Sequence, residues 1–145
     1  LNVLFLCTGN YYRSRFAEHL FNHYAPNHKL PWQAFSRGLA THHVARSAGP
    51  ISPYALEALM SRGVSGIQVR SPIPLSGQDL AGAHHIVALK YAEHHPLIKQ
   101  HFPDWTDRIE YWLVDDIDEA SPEEALPQIE MAVLDLLKRL GERIS

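Results

Sequence analysis

Only one cysteine, Cys7, occurs among the 145 residues of this chain. That count excludes an intramolecular disulfide framework and any multi-thiolate metal site. Long apolar runs are missing as well; the longest are a few residues, far short of the ~20 that a membrane-crossing helix needs. Positive charge is not in surplus: 13 Lys plus Arg stand against 16 Asp plus Glu, a formal charge of -3. A general nucleic-acid binder needs the opposite balance to neutralise phosphates. The opening residues have no basic start and no long apolar stretch, so they do not read as a secretory signal. Internal repeats, long linkers and low-complexity tracts are also absent. What remains is 46% hydrophobic and 20% charged, the make-up of one globular domain over residues 1–145, expected in the cytoplasm.

The order of elements defines the fold class. Val3-Leu4-Phe5-Leu6 is a short continuous apolar run, the pattern of a strand covered on both faces. A turn-like Cys7-Thr8-Gly9-Asn10 follows, and from Ser14 to Tyr24 apolar residues recur at helical spacing until Pro26. Further strands are predicted over Trp32–Ser36, weakly over Gly66–Arg70, over His85–Leu89 and over Ile109–Val114. Helices are predicted after the Ser52-Pro53 cap, inward through Ala55, Leu56, Leu59 and Met60, and over Tyr91–Phe102 with Pro96 in its first turn or bending it. A short helical turn is predicted over Asp79–Gly82. Ser121-Pro122-Glu123-Glu124 reads as a capping box ahead of a last helix that presents Ala125, Ile129, Val133, Leu136, Leu137 and Leu140. Strands alternating with amphipathic helices imply an α/β three-layer sandwich, a four-stranded parallel sheet with helices on both faces. Ligands of such folds sit beyond the carboxyl ends of the strands. Residues 7–14 and 115–118 both follow strand ends.

The segment Cys7-Thr8-Gly9-Asn10-Tyr11-Tyr12-Arg13-Ser14 separates a thiol from a guanidinium by five residues. A loop of that length can wrap one tetrahedral anion, with backbone N–H groups from Thr8 to Ser14 turned inward and a helix N-terminus behind them. Gly9 permits close or left-handed backbone, and Asn10 tolerates left-handed dihedrals. Arg13 offers a planar pair of donors to two phosphate oxygens. The same donors favour an anionic, nucleophilic sulfur at Cys7, to which Ser14 can donate a hydrogen bond. Asn10 is better suited to hold the loop than to react.

On these residues the chain resembles the low-molecular-weight protein tyrosine phosphatase family, which also includes some arsenate reductases. Its members open with a strand and then VCxGNxCRSPxAE; here Cys7 to Ser14 run on into Arg15-Phe16-Ala17-Glu18. Phe35-Ser36-Arg37-Gly38 is similar to the family's Ser-Ala-Gly segment, and Ala83 to Leu89 to its central strand. The resemblance implies Cys7 as nucleophile, Arg13 as phosphate ligand, and Asn10 and Ser14 as supports. Four positions depart from the pattern: Tyr12 replaces a second cysteine, Arg15 a proline and His85 an aspartate, and Gln68 falls near a loop-supporting histidine of some members.

A leaving alkoxide or phenoxide needs a proton, and Asp115, Asp116 and Asp118 are the candidate acids. Trp112-Leu113-Val114-Asp115-Asp116-Ile117 aligns with the family's Trp-x-Val-x-Asp-Pro, which puts Asp116 on the catalytic aspartate and Ile117 on the proline. Tyr11 is expected at the rim and Tyr12 and Trp112 in the core; His42 and His43 fall near a variable specificity loop of the family but read as surface histidines without a special role. Ten histidines offer no recognised hydrolase spacing, so no metal and no cofactor are expected. The expected activity is a phosphomonoester hydrolase working through phosphocysteine on a phosphotyrosine protein or a small phosphomonoester, with no nucleic-acid or membrane partner. Two other classes remain open: a non-catalytic phosphate- or phosphoprotein-binding module, and an arsenate reductase dependent on an external thiol.

Overall fold

A computed structural model describes residues 1–144, so Ser145 lies outside the described residues. Strand β1 (Asn2–Cys7) runs through the centre of the sheet, with β2 (Gln33–Gly38) on one side. On its other side lie β3 (His85–Ala88) and the two-residue β4 (Glu110–Tyr111), in the order β2-β1-β3-β4. All three pairings are parallel, with Val3 opposite Ala34 and His85. The four-stranded parallel sheet matches the sequence expectation.

Side-chain alternation along β1 distributes the two halves of the core. Val3, Phe5 and Cys7 face helices α1 (Arg13–Tyr24), α2 (Pro53–Ser61) and α5 (Pro122–Ile144). Leu4 and Leu6 face α3 (Gly77–Gly82) and α4 (Tyr91–His101) through Leu80 and Ile98. Helix α5 carries the largest apolar stripe: Ala125, Ile129, Val133, Leu136, Leu137 and Leu140 are all fully buried. At roughly 25 cal/mol per Å² of apolar surface, each buried leucine contributes about 1.5–3 kcal/mol. Among the described residues, no helix is long and apolar enough to cross a membrane.

Several expectations change in detail. Gly66–Arg70 forms no strand; side chains and a neighbouring segment satisfy the outer edge of β2 instead. Asn22 exchanges two hydrogen bonds with the Ala34 backbone, Arg70 donates to the Ser36 carbonyl, and Gly38 pairs with Ile73 and Leu75. This covers an edge that would otherwise be open to another chain. The predicted strand Ile109–Val114 shrinks to two residues, although Trp112 and Val114 still donate to the Ala88 and Leu89 carbonyls. Met60 is 64% exposed rather than inward, because α2 is nine residues long and buries only Ala55 and Leu59. Pro96 sits past the first turn of α4, which continues to His101. The full capping box occurs at α3, where Ser76 and Asp79 bond reciprocally. At α5 the Ser121 hydroxyl meets the Glu124 carboxylate instead.

Candidate active site

The carboxyl end of β1 delivers Cys7 directly into a loop that ends at the first residue of α1. Two constraints shape this loop. Asn10 adopts φ 51°, a left-handed conformation that asparagine tolerates. Gly9 and Gly38 are needed for close packing rather than for positive φ. A Cβ on Gly9 would lie 2.7 Å from Val44 Cγ2, and one on Gly38 would lie 2.6 Å from Thr41 Cγ2 and 3.0 Å from Asn10 Cβ.

Asn10 is fully buried and works as a brace. Its amide donates to Ser14 Oγ and Ser36 Oγ, both at 2.9 Å, and its carbonyl oxygen accepts from Arg70 and from the Ile73 N–H. Arg70 also reaches Glu18 and Ser36, and Ser36 donates to Glu18. Arg15, fully buried where the family pattern has proline, donates to the carbonyls of Asn10, Pro50 and Gln68. Burial, and Arg70 after it, lower its pKa to about 10. The loop-supporting side chain is therefore Arg70, not Gln68, which contributes only its carbonyl.

The Cys7 thiol donates to Ser14 Oγ at 3.0 Å. Arg13, 1% exposed, sends Nη1 to the Val114 carbonyl (3.0 Å) and to Glu93 Oε1 (3.2 Å), and Nη2 to Glu93 Oε2 (2.5 Å). Both Nη1 hydrogens are thus committed, which leaves the Nε–Nη2 edge for an incoming anion. Burial opposes the charge on Arg13, but Cys7, Glu93 and Asp116 push its pKa up. Glu93 is likewise penalised by burial. Hydrogen bonds from His94, Arg13 and Thr8 nevertheless hold it well below the usual carboxylate range.

His94 is fully buried; its Nδ1 accepts from the Lys90 N–H, so Nε2 carries the proton and points at Thr8 Oγ1. Burial foremost lowers its pKa. Glu93, His94, Arg15 and Arg70 were not among the sequence candidates. Nothing in a charged helix or a weak strand segment announces that it folds back onto residues 8–13.

The three candidate acids separate clearly. Asp115 pairs with Lys90, and Asp118 is exposed. Asp116 enters the cleft, with Oδ2 3.5 Å from Arg13 Nη2 and Oδ1 accepting the Ile117 N–H at 2.9 Å. A proline at 117 could not supply that donor. The cleft encloses about 290 Å³ above Cys7. Tyr11, Val44, Pro53, Tyr54 and Ile117 form its walls, and His43 lines it as well, whereas His42 does not. Tyr11 sits at the rim with its hydroxyl on the Ala48 carbonyl, Tyr12 is 5% exposed, and Trp112 packs on Phe5 in the core. Tyr54, on α2, is a wall residue that the sequence reading missed.

A thiol, a buried guanidinium and a carboxyl lining one cleft are the equipment of cysteine-dependent phosphoryl chemistry. The chain belongs to the low molecular weight phosphotyrosine protein phosphatase family, whose profile matches residues 2–144. It is accordingly a hydrolase of the cysteine-dependent protein phosphatase class. The chain is 28% identical over 109 residues to a Bacillus subtilis protein-arginine-phosphatase, a match covering 75% of this chain and 68% of that one. It is 25% identical to a low molecular weight protein tyrosine phosphatase from T. tengcongensis, covering 96% of this chain and 99% of that one with a TM-score of 0.80. A solution structure of a low molecular weight protein tyrosine phosphatase from Bacillus subtilis shares the fold over 100% of both chains, at 23% identity and a TM-score of 0.81.

Proposed function

We propose that the chain hydrolyses phosphotyrosine in proteins through a phosphocysteine at Cys7. The observation that carries this reading is the cleft itself: Cys7, Arg13 and Asp116 line it together with Tyr11, Tyr54 and Ile117. A flat ring can pack against such aromatic and apolar walls, which the short side chain of phosphoserine would leave uncovered.

In this reading the backbone N–H groups of Thr8 to Ser14 and the Nε–Nη2 edge of Arg13 hold the three non-bridging oxygens. The Cys7 thiolate attacks phosphorus while the phenolic oxygen leaves with the proton of Asp116. Ser14 donates to the sulfur before attack and again as it departs. The Asp116 carboxylate then takes a proton from water, whose oxygen attacks phosphorus and expels the thiolate with release of inorganic phosphate. Glu93 keeps Arg13 oriented without occupying its phosphate-facing edge. A single working thiol fits a reducing compartment, the cytoplasm.

Phosphoarginine is the second reading, carried by the similarity to a protein-arginine-phosphatase. Peptides bearing phosphotyrosine, phosphoarginine or phosphoserine at one position, assayed for phosphate release, separate the two. The expected order places phosphotyrosine first and phosphoserine last, with Cys7→Ser inactive on all three. Preference for phosphoarginine would replace the first reading by the second, and turnover by Cys7→Ser would defeat the covalent mechanism.

A further inference from the structure

Tyr12 holds a hydroxyl that no group among the described residues uses. The residue is 5% exposed, and its Oη is buried without a hydrogen-bond partner. An orphaned buried hydroxyl destabilises the fold, and phenylalanine would pack the same ring without that penalty. The position lines the same cleft as Cys7, Arg13, Asp116 and Ile117. Burial first, and then the neighbouring Asp116, push the Tyr12 pKa up to about 12. The group is therefore a protonated donor throughout the neutral range.

Asp116 has the complementary problem. Its Oδ2 faces Arg13 Nη2 at 3.5 Å, and its Oδ1 accepts the Ile117 N–H. One Nη2 hydrogen goes to Glu93, and the other shares with Nε the edge of Arg13 that the contacts to Glu93 and Val114 leave open. A phosphate docking on that edge displaces the carboxyl from its cation just when it must be aimed at the leaving oxygen. Asp115 and Glu119 hold the rest of the turn to Lys90, so the Asp116 side chain moves while its backbone stays tethered.

We propose that Tyr12 is a positioning residue for the acid: on phosphate binding, the Asp116 carboxyl leaves Arg13 and accepts a hydrogen bond from the Tyr12 hydroxyl. The accepting oxygen is the one that does not carry the transferable proton. That proton then points at the leaving group. The inference rests on the reading of Asp116 as acid.

The test is Tyr12→Phe, measured by rapid mixing as the burst of leaving group that accompanies phosphoenzyme formation. Phenyl phosphate serves as the poor leaving group and dinitrophenyl phosphate as the good one. The expected burst rate falls about tenfold on phenyl phosphate, the size of one positioned hydrogen bond, and is unchanged on dinitrophenyl phosphate. Inhibition by inorganic phosphate is unchanged and the melting temperature is equal or higher. Tyr12→Phe added to Asp116→Asn has no further effect. Equal losses on both substrates, weaker phosphate binding, a lowered melting temperature, or losses that multiply with those of Asp116→Asn would each overturn the role of Tyr12. If Asp116→Asn alone keeps the normal burst on phenyl phosphate, the acid assignment has failed instead, and the inference falls with it.

Discussion

At the scale of single residues, the site is distinguished by what stands next to Cys7. No second thiol exists in the chain, and the position that carries one in the family pattern holds the buried ring of Tyr12. Peroxide should therefore convert Cys7 to sulfenic acid or to mixed disulfides with added thiol, and then irreversibly to sulfinic and sulfonic acids. Mass spectrometry of peroxide-treated protein checks this outcome; full recovery without any external thiol would contradict it. Glu93 is the other telling neighbour. Its two oxygens fix the plane of the Arg13 guanidinium, so Glu93→Gln should weaken inhibition by inorganic phosphate by about 10- to 100-fold, the range of a charge-assisted hydrogen bond. Titration of phosphate against turnover reads this directly.

At the scale of elements, the acid turn behaves as a tethered unit. Glu119 and Ala120 donate to the Asp116 carbonyl, and Lys90 draws in Asp115 and Glu119. With Asp116 the only one of the three candidate aspartates in the cleft, Asp116→Asn should lose about 10²–10⁴-fold in rate on a substrate with a poor leaving group. A good leaving group needs less protonation, so its loss should be smaller. Asp115→Asn and Asp118→Asn should keep most of the activity. If Asp118→Asn carries the loss instead, the acid is two residues further on. If all three variants are normal on poor leaving groups, the acid does not come from this turn.

At the scale of the whole molecule, one carboxylate ties the far edge of the sheet to α5. Glu110 on β4 accepts both Nη groups of Arg139 at 2.8 Å, the His85 ring at 3.0 Å and the Trp112 indole at 2.6 Å. Burial opposes its ionisation, but Arg139, His85 and Trp112 hold it far below the ordinary value of 4.5. A carboxylate depressed in the folded state stabilises the fold fully above its unfolded pKa, and that contribution is lost as pH falls through the folded one. Glu110→Gln should therefore cost stability at pH 7, about 1.5–3 kcal/mol for a charged hydrogen-bonding group. The difference from the unsubstituted protein should shrink steadily below pH 4.5. Urea denaturation at pH 7 and pH 3.5 measures it; an equal difference at both would show that the charge on Glu110 is not what matters.

Local chemistry decided much of this protein before any tertiary contact formed. The unbroken apolar run of β1, the Ser52-Pro53 start of α2 and the stripe on α5 are all short-range patterns, and each folded as read. The thiol-to-guanidinium segment is short-range as well, with Cys7 and Arg13 six positions apart and lining one cleft. The supports of that loop come from far along the sequence: Arg70 reaches Asn10 across 60 residues, and Glu93 reaches Arg13 across 80. No periodicity marks such residues, since a helix or coil segment reads the same whether its charged side chain meets water or a buried guanidinium. The short β4 belongs to this second class too, because beyond Tyr111 the backbone pairs with the end of β3 and the start of α4, Trp112 and Val114 donating to the Ala88 and Leu89 carbonyls and Tyr91 to that of Trp112. What separates Asp116 from its neighbours is likewise tertiary. Adjacent aspartates in a turn are chemically equivalent until Lys90 captures one and Arg13 faces another.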